Sequence, residues 1–250
     1  MSVSQSRYVV LLIAASLIWG VLPACSGSDP VSETPAHTDP SDPPSDRYDM
    51  AASYAASKAG DALLVWERGE LVVEDYTAGF EADERHMLAS GTKTFTGALA
   101  LAAAEDGLLS LDEPVAASIP SWAEDREKSE VTLRQLLQLT SGVETGIGGA
   151  PSFDEGIQAP LVHSPGDDLR YGPVAFQVFG AVLETKLDGE SPEDYLNRRI
   201  LEPIGAEAPT WSRSGGDVNL GAGARMTARD WLRFGRMILG DGALNYKTPS

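Results

Sequence analysis

The chain has 250 residues, 42% hydrophobic and 22% charged, a balance that supports a packed core and excludes a disordered chain. Its 37 acidic against 19 basic residues leave a formal charge of −18, and the basic residues form no run or stripe able to neutralise a phosphate backbone, which argues against a nucleic-acid partner. The excess acid is a solvated surface, biased against anionic substrates and anionic membranes.

The first residues, "MSVSQSRYVVLLIAASLIWGVLPAC", carry one basic residue, Arg7, then an uncharged apolar stretch from Tyr8 to Leu22, the pattern of a secretory signal over residues 1–24. The competing reading is a membrane-spanning helix, but that requires roughly 18 to 20 apolar residues, and Pro23 closes the stretch short of it. Leu22-Pro23-Ala24-Cys25 resembles a bacterial lipobox, so Cys25 is expected to carry a lipid that anchors the protein to a membrane of the bacterial cell envelope. Cys25 is the sole cysteine, which rules out an intrachain disulfide; the plainer alternative is a chance cysteine inside an ordinary signal. Residues 25–47 hold five prolines and many Ser, Asp and Glu, and are expected to form an extended, flexible tether.

From Tyr48 to Ser250 the pattern is that of a folded domain. "YDMAASYAASKAG" predicts a helix ending at Gly60, and the runs Ala62 to Trp66 and Leu71 to Tyr76 predict a hairpin with Gly69 in its turn. "GTKTFTGALALAAAED" is helix-forming and nearly apolar on every side, as a helix buried at the centre of a domain reads, with Gly107 as its stop. "VTLRQLLQLTSG" predicts a short amphipathic helix and "PVAFQVFGAVLETKL" a longer one. "SPEDYLNRRILEPIG" opens with Ser191 as N-cap and Pro192 at the first helical position. "TARDWLRFGRMIL" is a last helix, capped by Thr227 with Asp230 in its first turn. Two strands followed by several helices point to an α+β fold, and there is no internal repeat.

Ser90 and Lys93 stand three residues apart at the head of the apolar helix. Such positions lie about 60° apart in azimuth and about 4.5 Å apart along the axis, so the two side chains can share a proton. A lysine acts as a base only when neutral, which at an ordinary pKa of about 10.4 is roughly one molecule in two thousand near pH 7, so the site must favour the neutral amine. The helix N-terminus also sets the Ser90 N–H where an oxyanion would form. With five lysines in the chain, some Ser-x-x-Lys is expected by chance about half the time, so the pair alone is weak; its place on a core helix strengthens it.

"LASGTKTFTGALALAAAEDGLLSLDEPV", "VTLRQLLQLTSGV", "HSPGDDLRYGPVAFQVFGAVLE", "YLNRRILEPIGA" and "GAGARMTARDWLRFGRMIL", in that order, resemble serine hydrolases of the β-lactamase and penicillin-binding-protein superfamily. The branch is the one holding class C β-lactamases, D-aminopeptidases and related esterases. The resemblance implies an antiparallel sheet packed with helices plus a mostly helical subdomain, and chemistry that needs no cofactor. It implies Ser90 as the acylated nucleophile, Lys93 as the group that moves its proton, and Tyr171, in the second motif, as phenol or phenolate sharing the acid and base work. The alternative for Tyr171 is a core aromatic opening a helix.

Two departures stand out. The second motif reads Tyr171-Gly172-Pro173, so proline occupies the place of an asparagine that serves a substrate amide, which fits ester hydrolysis better than β-lactam turnover. The family's late strand with a Lys-Thr-Gly-like motif finds only Lys247-Thr248-Pro249, an echo without the strand, so the domain is expected to lack its last strands and to be marginally soluble. His86 is expected to pack or lie at the surface, and His163 and His37 to be structural and linker residues; no histidine motif suggests zinc. Two functions follow. One is an envelope-anchored serine hydrolase acting on a small ester or amide or on a cell-wall peptide. The other is a binding or sensor module, or an inactive fragment, that keeps the cleft without turnover.

Overall fold

Ala62-Leu63-Leu64-Val65 is a run of adjacent apolar residues, the pattern of a strand covered on both faces, and it forms the centre of a three-stranded antiparallel sheet in the computed structural model of the chain. The structure describes residues 8–14, 44–77, 79–146 and 149–240, grouped into two compact units, residues 1–83 and 84–250.

The first unit holds β1 (Tyr8–Ala14), α1 (Pro44–Ser57), β2 (Gly60–Glu67) and β3 (Glu70–Tyr76), in sheet order β1-β2-β3. The β2–β3 turn consists of Arg68 at φ 53° and Gly69 at φ 95°, both left-handed, which is the two-residue loop whose twist matches that of a hairpin. β1 comes from the apolar run assigned in sequence to a secretory signal and pairs with β2 through Leu11 opposite Leu64. A short apolar run rich in β-branched residues suits a strand as well as a helix, and periodicity alone does not separate them. α1 begins at Pro44 rather than Tyr48, inside the segment assigned to the tether, since proline is compatible with a first helical turn. Cys25, His37 and Lys247-Thr248 lie outside the described residues.

The second unit contains β4 (His86–Met87), α2 (Thr92–Glu105), α3 (Pro120–Ala123), α4 (Leu133–Leu137), α5 (Phe153–Gln158), α6 (Val174–Lys186), α7 (Pro192–Leu196), β5 (Thr210–Trp211), β6 (Arg213–Ser214), β7 (Asp217–Val218), β8 (Ala224–Met226) and α8 (Ala228–Leu239). Strands β4, β8 and β5 form a small antiparallel sheet in that order, and β6 pairs with β7. α2 and α6 are the core. Phe95, Leu99, Ala100 and Ala103 of α2 are at most 1% exposed, and α6 is buried at every position from Val174 to Leu183, as a helix apolar all round must be. Each large side chain so buried contributes about 1.5–3 kcal/mol.

Helix ends follow the signals in the sequence. Gly107, at φ 73°, ends α2: its N–H bonds the Ala104 carbonyl at 3.1 Å and the Leu108 N–H reaches back to Ala103 at 2.9 Å, a complete Schellman motif. Thr132 and Gln135 form a capping box on α4, Ser191 caps α7, and the Thr227 hydroxyl accepts the Asp230 N–H at 3.1 Å on α8. One expectation needs adjusting: α2 is not buried on all sides. Leu101 is 63% exposed and, with Gly97, Ala98, Met237 and Ile238, lines an apolar groove of about 850 Å³.

Candidate active site

Ser90 sits two residues before the regular helix. β4 is held on β8, and the next N–H, of Leu88, donates to the Ala224 carbonyl at 2.9 Å. The chain then turns through Ala89 at φ 46°, a left-handed conformation costing a non-glycine residue about 1 kcal/mol or more and sustained only where flanking structure imposes it. Residues Ala89–Gly91 form a 3-10 turn that leads into α2 at Thr92, so the nucleophile candidate stands exposed on a sharp strand-to-helix corner. The Ser90 N–H belongs to the first turn, among the amides a helix leaves without an internal partner. Gly91 follows, packed close against α8: a Cβ there would lie 3.4 Å from the Trp231 ring, which stacks in turn on Phe234.

Lys93 is placed as its spacing predicts. Its Nζ lies 3.2 Å from the Ser90 Oγ and donates to the Gly221 carbonyl at 2.7 Å. It also stands 4.7 Å from the centre of the Tyr171 ring and 5.4 Å from that of Phe176. Both oxygen partners are neutral. The carbonyl can only accept, so an N–H must point at it, while the Ser90 hydroxyl can accept from the ammonium or donate to the neutral amine. The geometry therefore lets the lysine switch roles towards Ser90 while one N–H stays anchored.

Tyr171 joins the same group. The Ser90 hydroxyl beside the phenol holds the Tyr171 pKa below its ordinary value; partial desolvation opposes this, and the neighbouring Lys93 ammonium adds to it. The ring is 59% exposed, so this is no core aromatic. The segment that carries it is tightly fixed. The Arg170 N–H bonds the Leu139 carbonyl at 2.8 Å, and a Cβ on Gly172 would come within 2.5 Å of Thr145. Pro173 opens α6 with its ring against the loop between β7 and β8, where a Cβ on Gly221 would lie 3.0 Å from the proline Cβ.

That loop is the part sequence reasoning missed. "SGGDVNLGAGARM" reads as a linker into the last helix, yet it forms β6, β7 and β8 and presents the Gly221 carbonyl to Lys93. It is gripped from both core helices. On α2, the Thr96 hydroxyl donates to the Leu220 carbonyl at 2.8 Å, and the Thr92 hydroxyl accepts the Ala224 N–H at 3.2 Å. On α6, the Gln177 amide donates to the Val218 carbonyl at 3.2 Å and accepts the Leu220 N–H at 2.9 Å. Asn219 closes the loop on itself, its Oδ1 accepting the N–H groups of Gly221 and Ala222 at 3.0 Å each. Thr92, Thr96 and Gln177 are completely buried, and a buried polar side chain is retained where its bonds are made. The available signal was Gln177, the lone strongly polar residue between Val174 and Leu183.

The histidines take other places. His86 is buried in β4 opposite Met226, and His163 lies 3.6 Å from the Asp168 carboxylate and hydrogen-bonds Arg170 within its own loop. Among the described residues no group of three or more His, Cys, Asp or Glu is placed to hold a metal ion, and no helix is long and apolar enough to cross a membrane.

The family model for Beta-lactamase matches residues 49–249. Among curated relatives, Protein Rv1367c of Mycobacterium tuberculosis is 25% identical over 257 aligned residues, which cover 75% of this chain and 64% of that protein. Protein flp of Staphylococcus aureus strain COL is 26% identical over 166 residues, 58% of this chain and 33% of its own length. The chain thus spans at most 64% of these two relatives. A solved structure assigned as a beta-lactamase from Bacteroides dorei superposes with a TM-score of 0.70 at 26% identity, over 81% of this chain and 65% of that one. One assigned as a 6-aminohexanoate-dimer hydrolase from Bacillus anthracis gives 0.66 at 26% identity, over 75% and 56%. The class C beta lactamase of Rhodobacter sphaeroides shares the fold, with a TM-score of 0.60 at 22% identity over 78% of this chain and 66% of that one.

Proposed function

The chain belongs to the beta-lactamase family, and from that premise we propose that it is a serine hydrolase working through an acyl-enzyme on an ester or amide. The observation that carries this reading is the three-way arrangement of Ser90, Lys93 and Tyr171, with Lys93 anchored on the Gly221 carbonyl and the Tyr171 phenol drawn towards ionisation. Ser90 Oγ adds to the substrate carbonyl carbon while its proton passes to the Tyr171 oxygen or to the neutral Lys93 amine. That proton then goes to the departing alcohol or amine as the bond to it breaks. A water next gives its proton to the same base and its oxygen to the acyl carbon; as the bond from that carbon to Ser90 Oγ breaks, the base returns the proton to Oγ, releasing the acid and restoring Ser90. The first-turn amide of Ser90 is one donor for the oxyanion.

Pro173, which donates no hydrogen bond where the family's asparagine serves a substrate amide, favours an ester as the better substrate. The lipobox-like Leu22-Pro23-Ala24-Cys25 supports placement of the enzyme at a bacterial membrane through lipid on Cys25, and an unmodified cysteine in the membrane fraction would refute that part.

The test is intact-mass spectrometry after exposure to a fluorophosphonate probe, with Ser90→Ala alongside. The expected result is one adduct on the wild type and none on the variant; no adduct on either would overturn the proposal. Incubation with p-nitrophenyl acetate then separates a hydrolase, which turns over, from a binding module that releases one equivalent of nitrophenol and stops.

A further inference from the structure

We infer that Gln177 is a positioning residue for acylation, setting the direction of the Gly221 carbonyl, and through it Lys93, by gripping the backbone of Val218 and Leu220. The inference rests on the serine-hydrolase reading above.

Gln177 is completely buried on α6, and its side-chain amide bonds three main-chain groups: Nε2 donates to Pro151 at 2.8 Å and to Val218 at 3.2 Å, and Oε1 accepts from Leu220 at 2.9 Å. Leu220 is therefore held through both of its peptide groups, its N–H by Gln177 of α6 and its carbonyl by the Thr96 hydroxyl of α2 at 2.8 Å. The next peptide unit joins Gly221 to Ala222: its N–H, that of Ala222, is taken by the Asn219 side chain at 3.0 Å, and its carbonyl, that of Gly221, meets Lys93 at 2.7 Å. Rotating this carbonyl away from the lysine would break the Ala222–Asn219 bond, and shifting the segment that carries it would break the buried bonds of Leu220 to the two helices.

Packing alone gives no reason for a glutamine here. The surrounding helix face is apolar, the Leu220 side chain is itself fully buried, and a Cβ on Gly180, three residues along, would already lie 2.9 Å from it. An apolar residue of equal length would fill the space. What it could not do is fix the orientation of a peptide plane, and misplacing a proton-transfer group by about 1 Å costs on the order of a hundredfold in rate.

The experiment measures fluorophosphonate acylation of the full chain over a range of probe concentrations, separating the maximal rate, kinact, from the half-saturating concentration, KI. Gln177→Met keeps the length and removes all three bonds; it is expected to lower kinact by about 10- to 100-fold and to leave KI within about twofold. Thr96→Val, which removes the bond to the same residue from the other helix, is expected to lower kinact by roughly threefold, and the double variant by less than the product of the two. Val178→Ala, the adjacent and fully buried α6 residue, is expected to lower the melting temperature and leave kinact unchanged. Equal kinact in Gln177→Met and Val178→Ala, or a change confined to KI, overturns the inference. If Gln177→Met does not fold, Thr96→Val decides by the same criterion. An unlabelled wild type would instead sink the serine-hydrolase reading itself.

Discussion

At the C-terminal end of α2, the Asp106 carboxylate accepts from the Tyr195 hydroxyl at 2.7 Å and from Arg199 at 3.1 Å, while Glu105 pairs with the same arginine at 2.6 Å. At the N-terminal end, Lys93 bonds a hydroxyl and a main-chain carbonyl, both neutral. Both ends tie the helix to chain more than ninety residues away. They differ in what their bonds allow. Carboxylate and guanidinium keep fixed roles, one accepting and one donating, so the C-terminal cluster is a static brace. A hydroxyl facing an amine can exchange donor for acceptor, so the bonds at the N-terminal end allow a proton to pass. The backbone differs in the same sense: Gly107 meets the left-handed region at no steric cost, while Ala89 is forced into it beside Ser90.

The sharpest break of this comparison is to remove the cation at each end. Lys93→Met is expected to slow acylation by about 10³-fold, whereas Arg199→Met should leave the acylation rate unchanged and cost about 1 kcal/mol of stability, discounted because the ion pairs are partly exposed. Comparable rate losses in the two variants would dissolve the distinction. Tyr171→Phe is expected to slow acylation by about 10²-fold and to remove a limb of the pH profile. The sign follows from the lowered pKa: a phenol that ionises more readily reaches its basic form at lower pH, so the wild-type rate should rise with pH and level off below the ordinary phenol value of about 10. A profile whose rise is unchanged in Tyr171→Phe would assign it to another group.

Tyr195→Phe acts on the other end and is expected to cost about 1 kcal/mol near neutral pH without altering acylation. The Tyr195 hydrogen bond is the main cause of the lowered Asp106 pKa, followed by Arg199 against opposing desolvation. Stability from a carboxylate whose folded pKa is depressed is complete above the unfolded value of about 4 and disappears as pH falls through the folded value. The melting temperatures of wild type and Tyr195→Phe should therefore converge under strong acid. The smallest effects concern the two left-handed residues: Gly107→Ala should cost about 1 kcal/mol, and Ala89→Gly should gain about 0.5 kcal/mol while slowing acylation.

Much of this was legible in the sequence because it depends on local rules. The Ser90–Lys93 spacing, the Gly69 turn, the Gly107 stop and the Thr227 cap are decided by residues within a few positions of each other, and the structure places each as expected. The α+β class followed from the order of elements. Tyr171 could be assigned only through the ordered motifs around it, since a tyrosine at the start of a helix looks alike in a core and in a cleft. The grip on the 218–224 loop was not legible. It joins α2 to residues 124 to 132 positions away, and its partners are mostly peptide groups, which belong to every residue type alike. At Tyr8–Ala14 the letters do not decide, since the same apolar run serves a signal and a strand equally well.

That Lys93 is anchored by a main-chain oxygen bears on how the site can change over generations. No point substitution deletes a peptide carbonyl, so a mutational scan of residues 219–223 should find side-chain replacements that act only through the loop's shape. Lengthening or shortening the loop by one residue is another matter, because it rotates a different peptide plane towards the lysine. Divergence at this corner of the site should accordingly be recorded in gaps rather than in exchanged letters.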